Sequence, residues 1–284
     1  MSAFNSIFAK ANNLSLFQRV NNQIHGCLNE NIFYLHIPKC GGTSIRHAIR
    51  KFYLTLNIRK DKYLVELDSV ATLNVIKMIN KTNCPHNTTN DYPIMKLREN
   101  LLLYFMSQGN KKFIDGHFTF SDIAYREFGK KFAFITILRH PVKRWISSYF
   151  YNKSKNTHFK LEDDIAIYLK SHFGKSQGYE CVKFLVGPVS EIDYKSQPTI
   201  DLAKKNLDKF TVVGCLEYQE IFLKQFENRF GVRLKLEKIN QNPVKESARN
   251  FVITEEIEEK IKEICRPDLE IYQYAINNFV KAPH

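Results

Sequence analysis

Ile32-Phe33-Tyr34-Leu35-His36-Ile37-Pro38-Lys39-Cys40-Gly41-Gly42-Thr43-Ser44-Ile45 is the stretch whose reading decides the fold. An apolar run over Ile32–Ile37 ends in Pro38-Lys39, two glycines and two hydroxyl residues follow, and helix-like spacing continues to Phe52. That order is strand, tight loop, helix start. A loop of this kind aims backbone N–H groups and a positive helix end at one point, which suits a phosphate. Gly41 and Gly42 permit close backbone approach, and Lys39 adds a cation. The same loop is also an ordinary strand-to-helix turn capped by Thr43 or Ser44. It is not the common ATP-binding loop, because Lys39 precedes the glycines and the full pattern of Gly, four residues, then Gly-Lys-Ser/Thr occurs nowhere in the chain.

The 284 residues suffice for one α/β domain, and the 44% apolar and 25% charged content is that of a globular chain. The net charge of +13 is high, and the basic residues are dispersed rather than gathered in an arm. Dispersed charge fits a field around an anionic ligand better than a nucleic-acid tail. The six cysteines form no CxxC pair, which speaks against a zinc site or a redox dithiol; Cys40 reads as a small filler in the loop. The longest apolar runs, Leu101–Phe105 and Phe132–Leu138, fall far short of the roughly 20 residues of a membrane span. Residues 1–19 lack the pattern of a signal peptide. A soluble, cytoplasmic protein is expected, with an N-terminal extension over 1–30 and one domain over 31–284.

Further along, Leu67–Ile79 and Ile94–Phe105 have helical spacing, and Lys81–Tyr92 reads as a polar loop. Phe113-Ile114-Asp115-Gly116-His117 is a short apolar segment stopping at a glycine. Lys131–Leu138 is apolar on both faces, as a buried parallel strand should be. Arg139-His140-Pro141 ends it, and a helix continues through Tyr151. Helices are predicted over Leu161–His172, Ile200–Leu207 and Tyr218–Phe230, a strand over Phe210–Val213, and two helices over Thr254–Phe279 broken near Pro267. Strands alternating with helices indicate a parallel sheet, whose ligands gather at the carboxyl ends of strands. The segments 38–44, 115–117 and 139–147 all fall at such ends.

Arg139 closes its strand, and Ser147 follows eight positions later, about two helical turns along. A guanidinium fork plus a hydroxyl suits a phosphate, although an Arg pairing with a core carboxylate would look the same. Together, the His36-to-Ser44 loop and the Arg139/Ser147 pair resemble the PAPS-dependent sulfotransferases, most closely the 2-O-sulfotransferase-like branch that modifies carbohydrates. The resemblance spans roughly residues 31–279, with weaker echoes at Val212–Glu217, Asn240–Asn242 and Asp268–Ala275. It implies an α/β fold, a single domain with a central mainly parallel sheet flanked by helices and a P-loop-like phosphosulfate-binding loop. It implies that Pro38, Lys39, Cys40, Gly41, Gly42, Thr43 and Ser44 cradle the 5′ side of PAPS and that Arg139 and Ser147 hold its 3′-phosphate. It also implies a catalytic histidine in a Gly-His element, the place that His117 occupies here. Histidine is the side chain best suited to take an alcohol proton near neutral pH, although a histidine at a strand end is often only structural.

The expected enzyme therefore transfers a sulfuryl group from PAPS to an acceptor hydroxyl, with His117 as base, Lys39 stabilising the leaving phosphate, no metal, and a glycan as the acceptor class. An ATP-dependent phosphotransferase is the first rival; against it, the chain has no Gly-x4-Gly-Lys-Ser/Thr motif and no strand ending in a clear magnesium-binding Asp. A non-enzymatic binder of acidic glycans or nucleic acid is the second, resting on charge alone. Lys111-Lys112-Phe113 and Lys130-Lys131-Phe132 carry it weakly, because both look like strand starts.

Overall fold

The computed structural model describes residues 28, 30–53, 62–80, 91–154, 161, 163–237 and 253–281. Asn31–Leu35 forms β1, buried from Ile32 onward, and Gly42–Tyr53 forms α1 after it. There follow β2 (Leu64–Glu66), α2 (Ser69–Asn80), α3 (Tyr92–Ser107), β3 (Phe113–Gly116), α4 (Asp122–Phe128), β4 (Phe132–Leu138) and α5 (Pro141–Lys153). Next come α6 (Ile165–Lys170), α7 (His172–Ser176), α8 (Glu180–Val186), α9 (Gln197–Leu207), β5 (Val212–Cys215) and α10 (Gln219–Phe230). The last helices are α11 (Glu255–Ile264) and α12 (Arg266–Ala275), closed by a wide turn over Ile276–Val280.

The five strands form one sheet in the order β2-β3-β1-β4-β5, and every pairing is parallel. Leu35, at the end of β1, lies opposite Gly116 of β3 and Thr136 of β4. The chain leaves β1 toward β2 on one side and leaves β4 toward β5 on the other. The crevice between the ends of β1 and β4 is thus the topological switch point, where ligands of open α/β sheets bind. All seven residues of β4 are buried, and Phe33 packs edge-on against Phe134 and Phe118 at 5.0 and 5.9 Å. Each such buried ring contributes roughly 1.5–3 kcal/mol relative to exposure.

Four details differ from the sequence expectation. The helix predicted over 161–172 is two short helices. Asp164 caps the first by accepting the Ile167 N–H at 2.9 Å, and Ser171 caps the second by accepting the Gly174 N–H at 2.9 Å; each side chain offers the backbone a fresh start. The strand predicted over 210–213 is β5 at Val212–Cys215, because the Phe210 N–H is spent on Leu207 in the turn that ends α9. The helix predicted from Tyr218 begins at Gln219, after a 3₁₀ turn over Leu216–Tyr218. Strand β2 and helices α4 and α8 had no clear signature. The first is three residues long, and α8 is buried along its whole length, so it shows no amphipathic period. The C-terminal helices do break near Pro267, with Cys265 between them and Pro267 in the first turn of α12. Of the polar loop over 81–92, residues 81–90 lie outside the described residues, and Tyr92 already belongs to α3. The N-terminal extension, but for residues 28 and 30, and Asn240–Asn242 also lie outside them.

Candidate active site

The three motif segments follow the ends of β3, β1 and β4, which are adjacent in the sheet. Between β1 and α1, Lys39 and Gly41 both take left-handed backbone conformations, with φ of 67° and 75°. Left-handed residues alternating with others make a concave nest of N–H groups, a shape that receives anions. For Lys39 that conformation is strained, and strain held at a loop is a mark of function. Gly42 opens α1 with Tyr34 and His36 pressed against it: a Cβ there would lie 2.3 Å from His36 Cδ2 and 2.6 Å from the Tyr34 hydroxyl. Only glycine lets the first turn of α1 sit this close to β1. Cys40 is fully buried, as a filler would be.

Arg139 crosses the switch-point crevice and donates from Nη1 to the Lys39 carbonyl at 3.0 Å. The Lys39 ammonium lies 3.7 Å over the ring of Tyr151, on α5. Ser147 stands one turn before Tyr151 and therefore on the same face of that helix; it is buried. The start of α5 is fixed from behind. The carboxylate of Glu217 accepts the His140 N–H at 3.1 Å and the Tyr272 hydroxyl at 2.9 Å. His140 is thus a structural residue at the helix entrance. The echoes around Glu217 and Tyr272 have a physical reason, since they tie the β4 turn to β5 and α12.

On the other side of β1, His117 follows Gly116, whose φ of 134° is open only to glycine. The His117 ring nitrogen Nδ1 lies 2.8 Å from the His36 carbonyl oxygen. A carbonyl can only accept, so Nδ1 carries the proton and Nε2 of the neutral ring keeps its lone pair. The two imidazoles are 4.9 Å apart. Burial lowers the His117 pKa; the bond to His36 raises it, the nearby Arg98 charge lowers it, and Glu180 raises it, with a net fall below 6.5. Burial, and after it His117, hold His36 lower still. Both rings are therefore neutral at physiological pH.

Sequence reasoning missed three side chains around His117. Arg98 of α3 donates to its main-chain carbonyl at 3.0 Å. Asp115, two residues earlier, is fully buried and neither carboxylate oxygen has a hydrogen-bond partner. The guanidiniums of Arg46 and Arg50 lie 3.7 Å from it. Tyr34, beneath Gly42, is buried with an unpartnered hydroxyl. Only Asp115 had any signal, its place in the Asp-Gly-His triplet.

Residues 24–275 match a family model described as the sulfotransferase family. The chain belongs to that family. It is an enzyme, a PAPS-dependent sulfotransferase, and the carbohydrate 2-O branch named from the motifs is consistent with the match. A comparison with curated proteins finds no match. The single α/β domain with a fully parallel sheet is a sulfotransferase fold. Family membership implies PAPS as sulfate donor and a hydroxyl-bearing acceptor. The 38–44 nest, the close packing at Gly42 and the Arg139 fork fit a ligand with phosphates at both ends. Among the described residues, no group of three His, Cys, Asp or Glu side chains is placed to hold a metal ion. No described helix is long and apolar enough to cross a membrane. Lys111-Lys112-Phe113 and Lys130-Lys131-Phe132 do lead into strands, β3 and β4.

Proposed function

We propose that this sulfotransferase moves the sulfuryl group of PAPS to a hydroxyl of a carbohydrate or glycoconjugate acceptor, with His117 as the general base. PAPS supplies an activated sulfuryl group on a phosphate leaving group. The observation that carries the reading is the proton assignment at His117. Its Nδ1 is committed to the His36 carbonyl at 2.8 Å, so the basic nitrogen is Nε2, on the opposite side of the ring. A neutral, oriented imidazole is the requirement for taking an alcohol proton.

The remaining roles follow from charge and position. Pro38 to Ser44 receive the 5′-phosphate, with the N–H groups of Gly41 to Ser44 and the hydroxyls of Thr43 and Ser44 as donors. Arg139 and Ser147 receive the 3′-phosphate. Lys39 meets the charge that grows on the leaving phosphate. Its ammonium is seated on Tyr151, in the last turn of α5. Glycan acceptors fit the broad positive field of the chain, which carries a net charge of +13.

The test is a transfer screen with labelled PAPS across glycans, lipids and small alcohols, using the wild-type chain, His117→Ala and Lys39→Ala. Each substitution is expected to slow transfer by roughly 10²–10⁴-fold. The wild-type rate should fall on the acid side, through a His117 pKa below 6.5, because protonation removes the base. PAP should raise the melting temperature far more than ATP with magnesium. Full turnover in both variants would overturn the assignment, and stabilisation by ATP-magnesium alone would favour a phosphotransferase.

A further inference from the structure

Arg98 lies on α3, outside the phosphate-binding segments, with its side chain partly buried. Its guanidinium donates from Nη1 to the His117 carbonyl at 3.0 Å and from Nε to Thr72 Oγ1 at 3.3 Å. Both acceptors are neutral. The acids around it are engaged elsewhere: Asp91 and Glu180 each pair with Lys183 at 2.9 Å. Glu99 takes Lys96 at 2.5 Å and the Ser121 hydroxyl at 2.7 Å. Among the described residues, no carboxylate comes within ion-pair distance of Arg98. Burial lowers its pKa to about 10, so it stays charged at neutral pH. A desolvated charge without a paired anion is costly. Here that cost is borne beside the base.

The base is held from several elements. The ring donates to His36, the Gly116 carbonyl accepts the His36 N–H at 3.2 Å, and the His117 carbonyl accepts from Arg98. The charged groups facing the imidazole are Arg98 from α3, Glu180 from α8 and Arg46 from α1, with neutral His36 from the end of β1 and the Phe184 ring from α8. Of the charged three, Arg98 is the one that also touches the His117 main chain.

We propose that Arg98 is a positioning residue of the transfer reaction: its guanidinium fixes the main chain of His117 and keeps a positive charge beside the imidazole, so that the ring meets the acceptor as a neutral base. The proposal rests on the reading of His117 as that base. It predicts a role that a merely structural arginine would not have, because the charge itself acts on the imidazole.

The experiment is an NMR titration of the histidine rings in the full ¹⁵N-histidine-labelled chain, with His117 assigned through His117→Gln. The wild-type ring should titrate below 6.5, with Nδ1 protonated in the neutral form. Arg98→Met should raise the His117 pKa by about one unit, the size expected for removing one nearby charge from a partly buried site. Arg98→Gln keeps a donor for the carbonyl without the charge and should show a similar rise. Arg98→Lys should restore most of the low value. The acid limb of the transfer rate, measured on any acceptor found, should move with the ring. An unchanged His117 titration in both the Met and Gln variants would overturn the proposal, as would an equal rise in Arg98→Lys. Stabilisation by PAP is measured in parallel on the same proteins. Its absence from the wild type would sink the donor-binding reading and leave the titration result standing on its own.

Discussion

Asp115 and Asp268 are both fully buried and both lie beside arginine, yet one is built into the fold and the other is left incomplete beside the site. Asp268 accepts the main-chain N–H groups of Cys181 and Val182 at 3.0 Å each, closing the first turn of α8. Arg144 stands 4.0 Å away with its fork on Gln177. Asp115 has two arginines at 3.7 Å, and in both the Nη1 that approaches it donates to Glu66 instead. At that distance an ion pair is no longer a hydrogen bond. Burial raises both carboxyls, opposed by the arginines in each case. Asp268, helped by its two N–H donors, reaches about 6, and Asp115 reaches about 7. Where a buried carboxylate is satisfied by backbone it acts as a cap. Where it is not, the cost of ionisation stays in the molecule, here two residues from His117.

The comparison breaks most visibly at Asp268. Asp268→Ala leaves two α8 donors without their acceptor and the buried Arg144 without its nearby counter-charge, and the expected loss is about 3–5 kcal/mol of unfolding free energy. Denaturant unfolding reads this directly. Helix α8 carries Glu180, Lys183 and Phe184, so PAP-independent loosening of the His117 side should accompany it. A loss below about 1 kcal/mol, the worth of an exposed pair, would mean that the cap is not what holds α8.

Asp115→Asn should change the pH dependence of stability more than stability itself. The folded pKa of Asp115 is raised, to about 7 from 3.8. Between those values the native state holds a proton that the unfolded chain has released, so the contribution of this group falls as pH rises through the window and levels off above about 7. Asp268 follows the same sign but finishes near 6. The difference between wild type and Asp115→Asn should therefore shift in favour of the variant by about 2–3 kcal/mol between pH 5 and 7.5. A parallel pair of stability curves over that range would show that Asp115 is paired in solution and that the contrast with Asp268 is false.

The same contrast shows what a sequence yields. The loop at 38–44 and strand β4 are legible because their information is local: apolar runs, then Pro, Gly and a cation in a fixed order. Arg139 and Ser147 are legible because they sit on one strand-to-helix unit. Asp115 was on the page within Asp-Gly-His but carried no meaning, since its neighbours Arg46, Arg50 and Glu66 come from α1 and β2, elsewhere in the chain. Arg98 is one of 42 basic residues, and nothing near it in sequence points to His117. Strand β2 was missed for a related reason: three residues have no period, and only pairing with β3 makes them a strand. Local order reports the elements; the tuning of the site comes from contacts between them.

Glu66→Gln sharpens the contrast with the smallest effect. Glu66 is 43% exposed on its side chain and takes both Arg46 and Arg50. Losing these bridges should cost less than about 1 kcal/mol at pH 5, where solvent screens them and Asp115 is protonated. The substitution also removes a negative charge that raises the Asp115 pKa and releases both forks toward Asp115. The folded pKa of Asp115 should then fall, so less stability is lost as pH rises. The deficit of the variant should narrow between pH 5 and 7.5, in denaturant unfolding run at both values. A deficit that widens with pH would mean that Glu66 screens Asp115 rather than competing with it. The arginines would then hold Glu66 alone, and the incomplete pairing of Asp115 would need another cause.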